Sequence, residues 1–298
     1  MTQPASFVPL PARGLIQLSG SDARDFLQGL ISNDIAKVRP ERAIYAALLS
    51  PQGKFLHDFI VASLGDVLVL DCERARLGDL GQRLAGYRLR ARVELADASD
   101  DFRLVAVLGD DVHGRFGLPD EPGACAAFTG GLALVDPRDR RLGVRVIIPV
   151  TSGTAPLTAL GLTEAPFDRY EALRLSLGVP DGSRDLVIDK AILVESNFEA
   201  LNGVDFAKGC YVGQELTART KYRGLAKRRL MRVRIEGATP APGTILSIDG
   251  KEAGEMRTAM SNLGLALVRL DRLDEASGAP LMAGATQVWP IIDEPGPS

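Results

Sequence analysis

The stretch Lys208-Gly209-Cys210-Tyr211-Val212-Gly213-Gln214-Glu215, K-G-C-Y-V-G-Q-E, runs on into L-T-A-R-T-K-Y-R-G from Leu216 to Gly224. It sets a cysteine next to one glycine and near another, two residues from a lysine and shortly before an amide and a carboxylate. Glycines at this spacing suit a backbone that turns sharply or approaches something closely. Lys208 can stabilise a thiolate if it lies near enough, which makes Cys210 a candidate reactive thiol. The same letters also describe a small buried hydrophobe in a tight turn, with Gln214 and Glu215 as the acidic start of a helix.

Downstream, the segment from Leu216 to Ile235 carries Arg219, Lys221, Arg223, Lys227, Arg228, Arg229, Arg232 and Arg234 and no acid. Such an excess favours an anionic ligand, whether a polycarboxylate, a phosphate or a nucleic acid backbone, and it equally describes a solvated charged face. Aromatic interleaving is limited to Tyr211 and Tyr222, which gives a stacking platform for single-stranded nucleic acid little support.

The chain of 298 residues is long enough for two or three domains with sizeable cores, and its net charge of −3 neither demands nor excludes an anionic partner. Cys72, Cys125 and Cys210 match neither a disulfide framework nor a C-x-x-C metal pattern, so a reducing compartment is expected. The first residues lack the layout of a secretory signal or a transit peptide, and no run approaches the ~18 apolar residues that span a bilayer. A cytoplasmic protein without a membrane partner is the expectation. Phosphate-loop, dinucleotide-loop and H-E-x-x-H motifs are absent, and His57 and His113 are the only histidines. No constellation of metal or cluster ligands is visible, so no metal site is expected.

Local patterns place both strands and helices along the chain. Leu15–Leu18 reads as a strand, and Ser19 to Asp22 as the cap of a helix whose apolar stripe is Ala23, Phe26, Leu27, Leu30 and Ile31. Ala43–Leu49 and Phe55–Ala62 flank Ser50-Pro51-Gln52-Gly53-Lys54 as a β-hairpin. Val67–Asp71 is a strand and Glu73–Leu84 a helix, while Leu89, Ala91, Val93 and Leu95 alternate with polar residues as a further strand does. Phe102–Leu108 and Gly143–Val150 are strands, separated by a long loop or subdomain crossing over 109–131. Phe167–Leu177 reads as a helix stopped by Gly178 and Pro180. From Leu230 onward, short strands punctuated by Gly and Pro predict a small β-barrel or sandwich, which divides the chain into 1–229 and 230–298.

The motif resembles the signature of the YgfZ family, the folate-binding relatives of the glycine cleavage aminomethyltransferase GcvT, and especially the mitochondrial iron-sulfur assembly branch. The similarity continues through Glu195-Ser196-Asn197 and Asn202-Gly203-Val204-Asp205-Phe206, and includes F-L-Q-G-L-I-S-N-D from Phe26 to Asp34 and S-P-Q-G-K-F-L-H-D from Ser50 to Asp58. The resemblance implies a three-domain ring of aminomethyltransferase type, with two interwoven α+β domains and a C-terminal small β-barrel around a folate site. It also implies a folate-binding accessory factor for assembly, maturation or repair of iron-sulfur enzymes. Tetrahydrofolate would be the cofactor, with client or assembly proteins as partners and only indirect effects on tRNA modification.

Carried over by position, Cys210 matches the family's functional cysteine and Lys208 its electrostatic neighbour. Tyr170 sits where an aromatic lies beside the folate, and Arg13 where some members have another aromatic. Asp58 and Glu195 can meet the pterin edge, and Arg219 or Arg223 the glutamyl tail. Aminomethyltransferases carry G-G-x-x-D-D in the hairpin, whereas this chain has His57 before Asp58, which argues against aminomethyl transfer. A one-carbon transferase and a tRNA-binding module are the competing functions.

Overall fold

In the computed structural model, residues 4–275 and 278–292 are described, and their strands form two open sheets and a closed barrel. The five-stranded sheet runs Ile44–Leu49, Phe55–Leu64, Val67–Glu73, Arg13–Ser19, Glu94–Asp97, antiparallel throughout. The six-stranded sheet runs Thr163–Glu164, Ser6–Pro9, Phe102–Leu108, Val144–Pro149, Gly131–Val135, Cys125–Phe128. Ser6–Pro9 therefore belongs to the sheet built mainly from later residues, and Arg13–Ser19 to the other. Two strands that follow one another in sequence thus enter different sheets. The barrel begins at Arg228, inside the basic segment, and closes through Arg228–Glu236 pairing with both Leu263–Arg269 and Thr286–Pro290.

Strand Phe55–Leu64 shows why the sheets read as continuous apolar runs. Ile60 and Ala62 enter a central core shared with Tyr45, Leu104, Leu134, Phe198 and the barrel residues Leu230 and Leu265. Phe59 and Val61 point the other way, into a core covered by the helices Ala23–Gln28 and Leu77–Arg88. Alternate residues face opposite sides, and here both sides are buried. A third core lies on the outer face of the six-stranded sheet, and a fourth fills the barrel.

Two predicted elements differ. The helix beginning at Ala23 ends at Gln28, so Leu30 and Ile31 are buried from the following turn rather than from a helical stripe. Asp22 makes no cap hydrogen bond because its carboxylate takes the Arg92 backbone N–H at 2.8 Å and the Arg92 guanidinium. That pairing also explains the second difference. Residues 89–93 are held as an irregular connection with Leu89 90% exposed, and only Glu94–Asp97 pairs as a strand. The helix before it is shifted to Leu77–Arg88 behind a short turn at Arg74–Arg76. The 109–131 connection contains a helical turn, Val112–Arg115, and the edge strand Cys125–Phe128.

Candidate functional site

The first helix ends in carbonyls that lack helical partners, a place where a cation is favoured. Lys208 fills it. Its ammonium donates to Gln28 O at 2.8 Å, Ile31 O at 2.6 Å and Asn33 O at 2.9 Å, while the side chain is buried and lies 5.0 Å from the Tyr211 ring centre. Burial pulls its pKa down to about 8, against the pull of Asp34 and Asp205. Around it, Ser32 Oγ donates to Gly203 O, Asn33 Nδ2 to Asn202 O, the Asp205 N–H to Ser32 O and the Val212 N–H to Gly29 O. The segments 28–34 and 202–212, far apart in sequence, thus form one clasp.

The hairpin turn closes against the same loop. Gly53 has φ +77 and Gly213 φ +80, and a Cβ on Gly213 would meet Ser50 O at 2.5 Å and the Gly53 Cα at 3.0 Å. Neither backbone can move apart without opening the hairpin, so both positions exclude a side chain. Gly209 has open space around it. Of the two glycines near Cys210, only Gly213 answers to close approach.

Cys210 is exposed at the outer surface of this clasp. It lines an open groove of about 650 Å³ together with Pro51, Gln214, Tyr222, Arg219 and Arg223. The helix Gln214–Tyr222 supplies most of that wall, with Gly213 in left-handed conformation at its start. Tyr222 is 70% exposed and rests edge-on against Phe206. The structure therefore brings Cys210, Arg219 and Arg223 together. Lys208 donates its three hydrogen bonds to carbonyls of the helix end and the buried turn.

Arg13, Asp58 and Tyr170 lie elsewhere, in the buried space between the two sheets. Arg13 Nε donates to Asp71 Oδ1 at 2.7 Å, and Arg145 lies 3.0 Å from Asp71 Oδ2 and 3.2 Å from Asp136 Oδ2. Arg138 binds Asp136 at 2.7 and 2.9 Å. Burial works against the Asp136 carboxylate, but Arg138 and Arg145 outweigh it and hold it well below the usual range. The Tyr170 hydroxyl accepts from Arg138 at 3.0 Å and Arg145 at 3.2 Å, and its ring packs near Phe167 and under the Arg145 guanidinium. Tyr170 is only 4% exposed, and its hydroxyl is an acceptor that the buried guanidiniums need. Arg13, expected at the ligand face, is likewise committed to Asp71.

Asp58 accepts the Tyr45 hydroxyl at 2.8 Å, and burial raises its pKa. Its other oxygen faces Gly182, where an added Cβ would stand 3.3 Å away. His57 does not accompany it, since neighbouring strand residues face opposite ways. His57 Nε2 lies 2.7 Å from Asp79 Oδ2 on the helix side, and burial with Arg76 nearby lowers its pKa to about 4. It cannot act as a second acid beside Asp58.

Glu195 occupies a third place. Its Oε1 accepts the Lys227 and Arg228 backbone N–H groups, each at 3.2 Å, and it lines a cavity of about 400 Å³ at the junction of hairpin, linker and barrel. Leu186, Val187, Leu230 and Leu267 supply apolar wall, and Lys54, Lys190, Lys227, Arg228 and Arg257 outnumber Asp185, Glu195 and Glu255 in charge. This size suits a small organic ligand. The charge set suits an anionic one. The Tyr170 network is buried and leaves Arg145 Nε, Arg145 Nη1 and Asp71 Oδ2 without hydrogen-bond partners, whereas the Glu195 cavity offers tetrahydrofolate both the size and the donors.

Sequence reasoning missed Ser32, Asn33, Tyr45, Asp71, Asp136, Arg138 and Arg145. A signal existed for two of them: Asp71 interrupts V-L-V-L-D-C and Arg145 interrupts V-R-V-I-I, and a charge inside a fully buried strand needs a partner.

Comparison with known proteins bears on the architecture first. The family model for the GCVT N-terminal domain matches residues 10–112, and that for the CAF17 C-terminal beta-barrel domain matches residues 227–294. Glycine cleavage system aminomethyltransferase T from Bartonella henselae aligns with a TM-score of 0.78 over 98% of this chain and 86% of its own, at 15% identity. The fold is therefore of aminomethyltransferase type with a closed C-terminal barrel. Human mitochondrial iron-sulfur cluster assembly factor IBA57 is 33% identical over 96% of this chain and 85% of its own length. The mouse protein of that name is 33% identical over 89% of this chain and 77% of its own. At that identity over nearly the whole chain, this protein belongs to the family of the iron-sulfur cluster assembly factor IBA57.

Proposed function

We propose that this chain is an accessory factor in the assembly, maturation or repair of iron-sulfur enzymes, and that the Cys210 thiol is the group it presents. Its relatives are named as iron-sulfur cluster assembly factors. The observation that carries the role of Cys210 is its contrast with the other two cysteines. Cys72 and Cys125 are buried, and burial pushes both thiols up to about 12. Cys210 is exposed on a loop whose far side is fastened by buried hydrogen bonds. A cysteine kept for packing has no need of such a mount. All three cysteines are free, in keeping with the cytoplasmic location we propose.

Tetrahydrofolate is the cofactor we propose, as the sequence resemblance to the YgfZ family implies, at the junction cavity rather than the Tyr170 network. Glu195 has one oxygen left for a pterin edge, and Lys190 and Arg228 suit glutamyl carboxylates. When bound, tetrahydrofolate supplies a carrier for one-carbon units. Aminomethyl transfer itself is not our reading, because Asp58 has no second acid on its side of the strand. Effects on tRNA modification would be indirect, through client enzymes.

The test is complementation. In a strain lacking the gene, wild-type protein restores iron-sulfur enzyme activity, whereas Cys210→Ser at equal protein level does not, and an enzyme without a cluster is unaffected by either. Full restoration by the serine variant removes Cys210 from the function.

A further inference from the structure

Lys208 stands two residues before the exposed thiol, and its geometry points away from a direct electrostatic role. Three carbonyl oxygens converge on one nitrogen at 2.6 to 2.9 Å, which matches the three donors of an ammonium. The aliphatic stem is buried. Hydrogen bonds to a charged group contribute more than neutral ones, and these three join the loop to the end of the first helix. Two backbone bonds depend on the same register, Asp205 N–H to Ser32 O at 3.0 Å and Val212 N–H to Gly29 O at 3.1 Å. They bracket Cys210 in sequence.

We infer that Lys208 is a positioning residue, whose ammonium anchors the Cys210 loop on the carboxyl end of the first helix and fixes where the thiol is presented. The facing charges are Asp34, beyond the helix end, and Asp205, on the loop; Asp205 is itself paired with Lys37 at 2.8 Å. The anchor explains why F-L-Q-G-L-I-S-N-D and K-G-C-Y-V-G-Q-E occur in one chain: the first supplies the carbonyls and the second the cation. This inference rests on the Cys210 reading for its biological meaning, but its test does not.

The experiment compares wild type, Lys208→Met, Lys208→Arg and Ser32→Ala in the full chain. Amide exchange is read at 205 and 212, and iodoacetamide labelling of Cys210 is followed against pH by peptide mass spectrometry. Expected is a rise of about tenfold or more in exchange at both amides in Lys208→Met, with the labelling midpoint unmoved. Ser32→Ala, which loosens the clasp by removing the bond to Gly203 O without changing charge, should raise the same amides' exchange. The proposal is overturned if Lys208→Met leaves both amides protected; a labelling midpoint that also rises, and that Lys208→Arg restores, would show charge alone acting. Rescue of a deletion strain by Cys210→Ser sinks the functional thiol and leaves the exchange result untouched.

Discussion

Asp185 Oδ1 accepts the backbone N–H of Thr258 at 3.0 Å, and so joins the linker after the helix Phe167–Leu177 to the barrel. Thr258 lies where the strand Lys251–Met260 shifts register between Met256 and Ala259, so its N–H is free of the ladder. The other Asp185 oxygen takes Arg174 Nη1 and the Asp181 N–H, both at 2.8 Å. Arg174 is fully buried and is also held by Glu171. One carboxylate therefore sets the barrel against the body and neutralises a buried guanidinium.

Removing that carboxylate takes one of two acidic partners from a buried guanidinium and leaves the Thr258 N–H without its acceptor. Asp185→Ala should lower stability by about 3–5 kcal/mol, and Asp185→Asn by less because an amide oxygen can still accept. Denaturant unfolding checks this. A loss under about 1 kcal/mol for the alanine variant would show that Arg174 has other sufficient partners.

The two glycines of the cysteine motif should separate cleanly. Gly213→Ala forces a Cβ onto Ser50 O in a left-handed backbone, whereas Gly209→Ala meets nothing. The first is expected to cost about 1–3 kcal/mol and to loosen the hairpin, the second to be nearly neutral. Thermal melts of both proteins decide it, and equal losses would show that the clasp tolerates a shift of the Ser50 turn.

How much of this was legible in the sequence follows from range. An apolar run located the strand at Phe55–Ala62, the Gly178 and Pro180 stop located the helix Phe167–Leu177, and Gly and Pro punctuation located the barrel, because those signals are local. The clasp could not be read that way: Ser32 meets Gly203, and Lys208 meets Gln28, across 171 and 180 residues. The Arg13, Asp71, Arg145 and Tyr170 network joins two sheets for the same reason. Resemblance supplied the residue names, and only the fold divided them among a groove, a buried network and a junction cavity.

His57 gives a pH prediction with a definite sign. Its pKa falls from 6.5 to about 4 on folding, chiefly through burial and then Arg76. The unfolded chain thus binds the proton first as pH falls, so the contribution is fully present above pH 6.5 and is lost as pH falls through about 4. That loss is on the order of 3 kcal/mol. His57→Gln should show a shallower fall in stability over this window than wild type, measured by urea unfolding at successive pH values. Parallel curves would mean that the ring ionises in place with Asp79.

Tyr170 should behave as a structural acceptor. Tyr170→Phe keeps the ring and removes the oxygen that Arg138 and Arg145 share, for a cost of about 1–3 kcal/mol in unfolding free energy. Affinity for tetrahydrofolate in the folded variant should be unchanged. A several-fold loss of affinity at unchanged stability would instead return Tyr170 to the ligand.

The basic segment can be assigned by ligand. Arg219 and Arg223 line the Cys210 groove, whereas Lys227 and Arg228 line the Glu195 cavity with Lys54, Lys190 and Arg257, so a folate held by Glu195 meets cations of the second set. Calorimetry with tetrahydrofolate, its polyglutamate and tRNA at two ionic strengths separates the cases. Glu195→Gln should weaken tetrahydrofolate binding about tenfold or more, as loss of a charge-assisted hydrogen bond implies, and Arg219→Ala should leave it unchanged. A polyglutamate preference abolished by Arg219→Ala would place the tail in the groove beside Cys210. Binding of tRNA below micromolar at physiological salt, falling steeply as salt rises and indifferent to folate, would instead make the segment a phosphate-binding face, since each phosphate contact releases a counterion.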